Sequence, residues 1–195
     1  PFSLGSGDVS NFHGSRDIPE SAAWTGMTGA EAARRLLNAQ GIYDVTVQQI
    51  AGELTDHYDP RTKTVNLSQS VYGATSVAAI GVAAHECGHA MQDNEGYAPL
   101  RFRSALVPVA NFGSSLSWPL ILLGLVFGGL GSPLVEIGIL MFSLAVLFQL
   151  VTLPVEYNAS ARAVRLLDAQ GILAGEEVNG TRKVLNAAAL TYVAA

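Results

Sequence analysis

The chain has very few cysteines and few charges. Its single cysteine, Cys87, excludes an intrachain disulfide and with it the class of small disulfide-stapled secreted domains, and we expect this residue to be a small buried thiol. Charged residues make up only 14% of the 195 residues, against about 25% in soluble domains. The formal net charge of −5 gives no electrostatic reason to expect a nucleic-acid partner. This composition favours a small domain joined to membrane segments.

The stretch between Arg103 and Glu156 is almost free of charge, and Glu136 is its only charged residue. A turn-forming run over residues 128–133 divides it into two apolar halves, each long enough to cross a bilayer. We predict a transmembrane helical hairpin over residues 104–155. The alternative is a pair of buried core helices, which a chain of this size can hardly enclose.

Basic side chains flank this hairpin on both sides. Arg101 and Arg103 precede it, Arg162 and Arg165 follow it, and the connecting turn contains no basic residue. The positive-inside rule therefore predicts that both flanks lie in the cytoplasm and that the turn lies outside.

The run His85–His89 has the form H-E-x-x-H within an alanine-rich segment, residues 76–91, that is predicted to be helical. Residues four apart stack on one face of a helix, so His85 and His89 can bind one metal ion, with Zn²⁺ as the expected cofactor. Glu86 is turned by about 100° from His85 and can reach a water at the metal, which makes it the candidate general base. The alternative is a chance occurrence of the string on a core helix.

The candidate for a third metal ligand is Glu156. It is the first charged residue after the second apolar segment, so a hairpin of two crossings returns it to the side of the membrane that carries the motif. The alternative is an interfacial carboxylate without a metal. Glu176 and Glu177 are weaker candidates, because their glycine-rich surroundings indicate a solvated loop. Three further side chains are candidates for stabilising the oxyanion of the transition state, namely Tyr157, His57 and Tyr58.

The remaining sequence predicts short elements. A capping box at Thr28 and a terminal Gly41 enclose a helix over residues 29–40. Three further segments predict the strands of a small antiparallel sheet, namely Tyr43–Ile50, Glu53–His57 and Thr64–Leu67. A last helix is predicted over residues 181–195.

The predicted fold class is α+β and mainly helical, with a zincin-like H-E-x-x-H helix, the small antiparallel sheet and the transmembrane hairpin. Four parts follow along the chain. They are a flexible lead-in (1–25), a cytoplasmic catalytic part (26–103), the transmembrane hairpin (104–155) and cytoplasmic helices that complete the metal site (156–195).

The combination of His85–His89 with the later run Glu156–Ala159 resembles the gluzincins, whose third ligand is a glutamate on a later helix. A broader likeness, over residues 26–195, is to the YugP-type membrane zinc metallopeptidases of bacteria. Five segments carry it: Leu54–Pro60, Ala84–Asp93, Gly96–Pro99, Arg103–Pro108 and Leu153–Glu156. Many gluzincins have an aspartate four residues after the ligand glutamate, where this chain has Ser160, which leaves Asn158 or a backbone carbonyl to orient the histidines.

The resemblance implies an integral-membrane zinc endopeptidase of the bacterial inner membrane, similar in plan to the HtpX-like proteases. The basic flanks of the hairpin predict that its active site faces the cytoplasm. Its expected partners are the lipid bilayer and peptide or protein substrates, including membrane or misfolded proteins; no oligomeric state is predicted. The alternative function is a non-catalytic membrane scaffold with a structural zinc site. A structural site would need a fourth protein ligand, and the sequence offers no second cysteine or nearby third histidine, which favours catalysis.

Overall fold

A computed structural model describes residues 21–194, and residues 1–20 of the predicted lead-in lie outside this range. The elements in chain order are α1 (Gly29–Ala39), β1 (Thr46–Ile50), β2 (His57–Asp59), β3 (Thr64–Ser68), α2 (Gln69–Tyr72), α3 (Val77–Asn94), α4 (Ala98–Gly128), α5 (Pro133–Ala169) and α6 (Glu176–Ala194). They form two compact units. Of the described residues, the first contains 21–97 and 156–194, and the second is Ala98–Val155. The predicted mainly helical fold with a small sheet is confirmed.

The sheet is mixed, with the strand order β1-β3-β2. β2 and β3 pair antiparallel as predicted, with Tyr58 opposite Val65, but β2 covers His57–Asp59 and shares only His57 with the predicted strand Glu53–His57. β1 runs parallel to β3, with Val47 opposite the same Val65. The prediction of a purely antiparallel sheet is wrong for β1, because alternation along a strand identifies its buried face and not the direction of its neighbour. The loop after β1 carries the chain to the other edge of β3 through left-handed backbone at Gly52 and Leu54.

The start of β2 is fastened to the end of β3 by a buried carboxylate. Asp56 is only 2% exposed and accepts hydrogen bonds from the Ser68 amide at 2.7 Å and from its hydroxyl at 2.9 Å. Burial raises the pKa of Asp56, although the hydrogen bonds from Ser68 oppose that rise. These bonds fix the path by which the chain enters β2, which together with β3 contacts α3.

Helix α3 is the central element of the first unit. Ser76 caps it, with its hydroxyl accepting from the Ala79 amide at 3.2 Å. Cys87 is fully buried, also as predicted, and its Sγ lies 3.6 Å from the Ala33 carbonyl oxygen. The core around α3 includes large apolar side chains from α1, β3 and the last turns of α5, such as Leu36, Leu37, Leu67 and Leu167. Such enclosure explains why α3 is apolar nearly all round.

The second unit consists of α4 and the first part of α5. Both helices are long and apolar enough to cross a membrane, yet only 24% and 11% of their apolar windows are buried. Core helices of a soluble protein would be mostly buried, so this exposure argues against the pair of core helices. A Cβ on Gly113 would lie 3.0 Å from the Met141 carbonyl oxygen, and one on Gly138 would lie 3.0 Å from that of Ser117. Small residues therefore let the two helices pack closely, as in membrane hairpins.

Candidate metal centre

His85, His89 and Glu156 come together in the first unit, and their ligand atoms all lie within 4.8 Å of one another. Glu156 Oε2 is 3.0 Å from His85 Nε2, and Glu156 Oε1 is 3.6 Å from His89 Nε2. All three residues are buried. Among the described residues this is the one group of three or more potential ligands arranged to hold a metal.

Two helices supply these ligands. The four-residue spacing on α3 aims both imidazoles in one direction, with their ring centroids 4.8 Å apart. Glu156 comes from α5, which approaches α3 closely at Gly88, where an added Cβ would lie 2.5 Å from the Ala159 carbonyl oxygen. Glycine at this position of the motif therefore permits the helix contact that brings Glu156 to the histidines.

The outer nitrogen of each ring has a hydrogen-bonding partner. His85 Nδ1 lies 3.1 Å from Ser160 Oγ, and His89 Nδ1 lies 3.0 Å from Gln92 Oε1. The residues expected to orient the histidines were Asn158 or a backbone carbonyl, but Asn158 stands one bond further out, where its Oδ1 accepts from Gln92 Nε2 at 3.0 Å. Sequence reasoning missed both direct partners, although Gln92 lies three residues after His89, within reach along a helix.

Glu86 is buried beside the ligands and is 3% exposed. Its Oε2 accepts a hydrogen bond at 3.0 Å from the backbone N–H of Tyr58 on β2. Burial raises the pKa of Glu86 to about 7, and the negative charges of Glu156 and Asp56 add to the rise, while His85 opposes it. The sheet thus holds one oxygen of this carboxylate and leaves Oε1 for chemistry.

Two of the three candidates for oxyanion stabilisation already have partners. His57 donates from Nδ1 to the Thr55 carbonyl at 2.7 Å, and its Nε2 lies 3.2 Å from Asn66 Nδ2. The Tyr58 hydroxyl donates to Asp93 Oδ2 at 2.8 Å, and burial together with that bond raises the pKa of Tyr58. Tyr157, by contrast, is 37% exposed and directly follows Glu156.

Glu176 and Glu177 do not belong to this centre, since they form the first turn of α6. The expectation of a solvated loop there is wrong. Glu177 accepts from the Trp24 amide at 3.0 Å and from the Ala174 amide at 3.4 Å. Its carboxylate therefore binds one backbone group just before α6 and one from a distant segment of the chain.

The donor set fits zinc. Zinc binds histidine nitrogen and carboxylate oxygen at about 2.0–2.2 Å in a tetrahedron, which separates neighbouring ligand atoms by about 3.4 Å, and the observed 3.0 and 3.6 Å lie on either side of that value. Burial alone would raise the pKa of Glu156, but in the metal-free chain the neighbouring His89 and His85 favour its charged form and hold the pKa well below its usual range. The carboxylate is therefore ionised, as a metal ligand must be.

Comparison with known proteins gives the same chemistry. Residues 15–195 match the protein family described as "Putative neutral zinc metallopeptidase". The chain is 51% identical, over 173 residues, to the "Putative membrane protease YugP" of Bacillus subtilis (strain 168), which covers 89% of this chain and 76% of that protein. No solved structure matches it. The apolar helices and this relative's name indicate a membrane protein, and the extent of both matches shows that the chain belongs to the family described as "Putative neutral zinc metallopeptidase".

Proposed function

We propose that the protein is a zinc-dependent endopeptidase of the membrane, in which His85, His89 and Glu156 bind zinc and Glu86 is the general base. The observation that carries the proposal is the convergence of three buried ligand atoms within 4.8 Å, beside a buried carboxylate outside the ligand set. The family and its named relative support a protease role.

Zinc, when bound, supplies a Lewis acid that activates water and polarises the scissile carbonyl. Within this frame Glu86 Oε1 takes a proton from the attacking water and later passes it to the leaving amine. The Tyr58 amide keeps Oε2 of the same carboxylate in place, so the base is oriented before the substrate arrives. Ser160 and Gln92 keep the two imidazoles turned so that each Nε2 faces Glu156.

The remaining need is a donor for the oxyanion of the transition state. Tyr157 is our candidate, because the groups of His57 and Tyr58 that could donate are bonded to Thr55 and Asp93. Tyr157 directly follows Glu156 and is partly exposed, which supports a contact with a bound peptide.

We further propose that the catalytic side faces the cytoplasm of a bacterium and that substrates include membrane or misfolded proteins. The basic flanks of the hairpin support the orientation, and the position of Glu156, directly after an apolar segment, supports cleavage near the membrane surface. A reporter that is active only outside the cytoplasm, fused after Gly131, should be active in cells. An inactive reporter there, with an active one fused after Ala98, would reverse the orientation. Turnover of purely soluble peptides as fast as that of membrane segments would contradict the substrate preference.

The decisive experiment is cleavage of an unfolded test protein by the purified chain in detergent. Cleavage that a zinc chelator abolishes and added zinc restores supports the proposal. A non-catalytic scaffold with a structural zinc site would bind the metal and unfold more easily on chelation, but it would cut nothing at any zinc concentration. That outcome would refute the proposal that the protein is an endopeptidase.

A further inference from the structure

A row of polar contacts leads from His89 to the surface of the first unit. Beyond the His89–Gln92 contact, Gln92 Nε2 donates to Asn158 Oδ1 at 3.0 Å. Arg162 Nε donates to the same Asn158 oxygen at 2.7 Å, and Arg162 Nη1 donates to Glu95 Oε1 at 2.7 Å. The row begins at a buried ring and ends at a carboxylate that is 54% exposed.

The chemistry of these groups fixes which atom donates and which accepts at each contact in the row. Arginine can only donate hydrogen bonds, so the atom of Asn158 that faces Arg162 must be the oxygen. That oxygen also faces Gln92, which must therefore present its NH₂ group there and its own oxygen to His89. An amide oxygen can only accept, so His89 Nδ1 must carry a proton. In the neutral ring this leaves unprotonated the Nε2 that faces Glu156, which is the form that binds a metal.

Arg162 also holds the end of α3. Its guanidinium lies 6.0 Å from the centre of the Tyr97 ring, and the Tyr97 amide donates to the Gln92 carbonyl at 2.9 Å. Glu95, which pairs with Arg162, is the C-cap residue of α3. The same side chain thus contacts Asn158 and the turn that follows Gln92, and only 17% of it is exposed.

We propose that Arg162 is a positioning residue for the metal centre, which acts through Asn158 and Gln92 to hold His89 with Nδ1 protonated and Nε2 directed at Glu156. The inference rests on the proposed zinc site. It adds that the affinity of that site depends on an arginine that contacts neither the metal nor any of its ligands.

The first test is the zinc affinity of the full chain, purified without metal and titrated in competition with a coloured chelator. Loss of a hydrogen-bonding partner of a metal ligand typically weakens binding by about 10–100-fold. We expect a loss in this range for Gln92→Ala and about a tenfold loss for Arg162→Met. The matched control is Arg165→Gln, an exposed arginine one turn away on the same helix, which should bind zinc like the wild type.

A double-mutant cycle distinguishes an effect of Arg162 that passes through Gln92 from a general weakening of the contact between α3 and α5. Once Gln92→Ala has removed the hydrogen bonds between Asn158 and His89, adding Arg162→Met should weaken zinc binding no further. If instead the two effects simply add, the residues act independently and the proposal is refuted. Arg162→Met binding zinc as tightly as the wild type would also refute it, whereas a wild-type chain that binds no zinc would refute the ligand set on which it rests.

Asn158 provides variants that keep the test decisive if Arg162→Met fails to fold. Asn158→Asp retains oxygens that accept from both neighbours and should keep near wild-type affinity, while Asn158→Leu should match Arg162→Met. The visible absorption of the cobalt-loaded chain reports the ligand geometry directly. It should change in Asn158→Leu and not in Asn158→Asp, and identical spectra for the two would contradict the proposal.

Discussion

Gly88 of α3 packs directly against the backbone of Ala159 on α5 at the metal centre. A Cβ on Gly88 would lie 2.5 Å from the Ala159 carbonyl oxygen and 3.0 Å from its Cα. The side chains on either side of this contact are the ligands His85, His89 and Glu156. The distance between the helices therefore sets the distance from Glu156 to the two histidines.

Gly88→Ala should destabilise the fold and weaken zinc binding. Alanine favours a helix over glycine by about 1 kcal/mol, but the overlap with backbone atoms, which cannot rotate away, costs about 1–3 kcal/mol. Thermal unfolding of the metal-free chain and a zinc titration measure the two effects. Gly73→Ala is the control, since a Cβ there meets nothing within 4 Å; equal behaviour of the two variants would contradict the close approach.

Glu86→Gln should lower kcat by about 10²–10⁴-fold, the usual contribution of a general base. Zinc affinity should stay at the wild-type value, because Glu86 lies outside the ligand set and the amide can still accept from Tyr58. The measurement is peptide cleavage beside a zinc titration of the same preparation. Undiminished cleavage by this variant would remove Glu86 from the mechanism.

Glu156→Gln should lose zinc on dialysis, because a neutral amide replaces the ionised ligand between the two histidines. Metal content per chain, measured after dialysis, reports this directly. Glu136→Gln is the matched control, an exposed carboxylate at the other end of the same helix. If both variants retain stoichiometric zinc, Glu156 is no ligand.

Ser160→Ala should weaken zinc binding by about tenfold, since His85 Nδ1 loses its partner. Ser104→Ala serves as control, because that hydroxyl only returns to the Leu100 carbonyl of its own helix. Equal affinities for the two variants would show that His85 needs no orienting group.

Tyr58→Phe and Tyr157→Phe should lower kcat by different amounts. The Tyr58 hydroxyl bonds Asp93 and keeps the backbone N–H near Glu86, so its loss should lower kcat by less than tenfold. Loss of an oxyanion donor typically costs about 10²–10³-fold, which we expect for Tyr157→Phe with unchanged zinc affinity. The reverse order in kcat would make Tyr58 the stabilising group.

Local chemistry explains which parts could be predicted from the sequence. Helix α3, its cap at Ser76 and the shared face of His85 and His89 depend on residues within a few positions of one another. Glu156 could be identified because it is the first charged residue after the second apolar segment, which a hairpin returns to the side of the membrane that carries the histidines.

What the sequence could not give are contacts between distant segments. The partner of β1, the use of the Tyr58 amide by Glu86 and the place of Ser160 beside His85 all depend on how strands and helices meet. Asn158 was expected next to a histidine and lies one hydrogen bond beyond it, because Gln92 stands between them.

The seclusion of Cys87 has a practical consequence. The thiol is fully buried, and burial raises its pKa, so it has almost no thiolate to react with maleimides. Since the chain has no other cysteine, the unmodified protein should show almost no reaction with thiol-labelling reagents. Any cysteine introduced at a chosen position in the membrane hairpin or its flanks would report its own surroundings, with no need to replace a native residue between the two histidines.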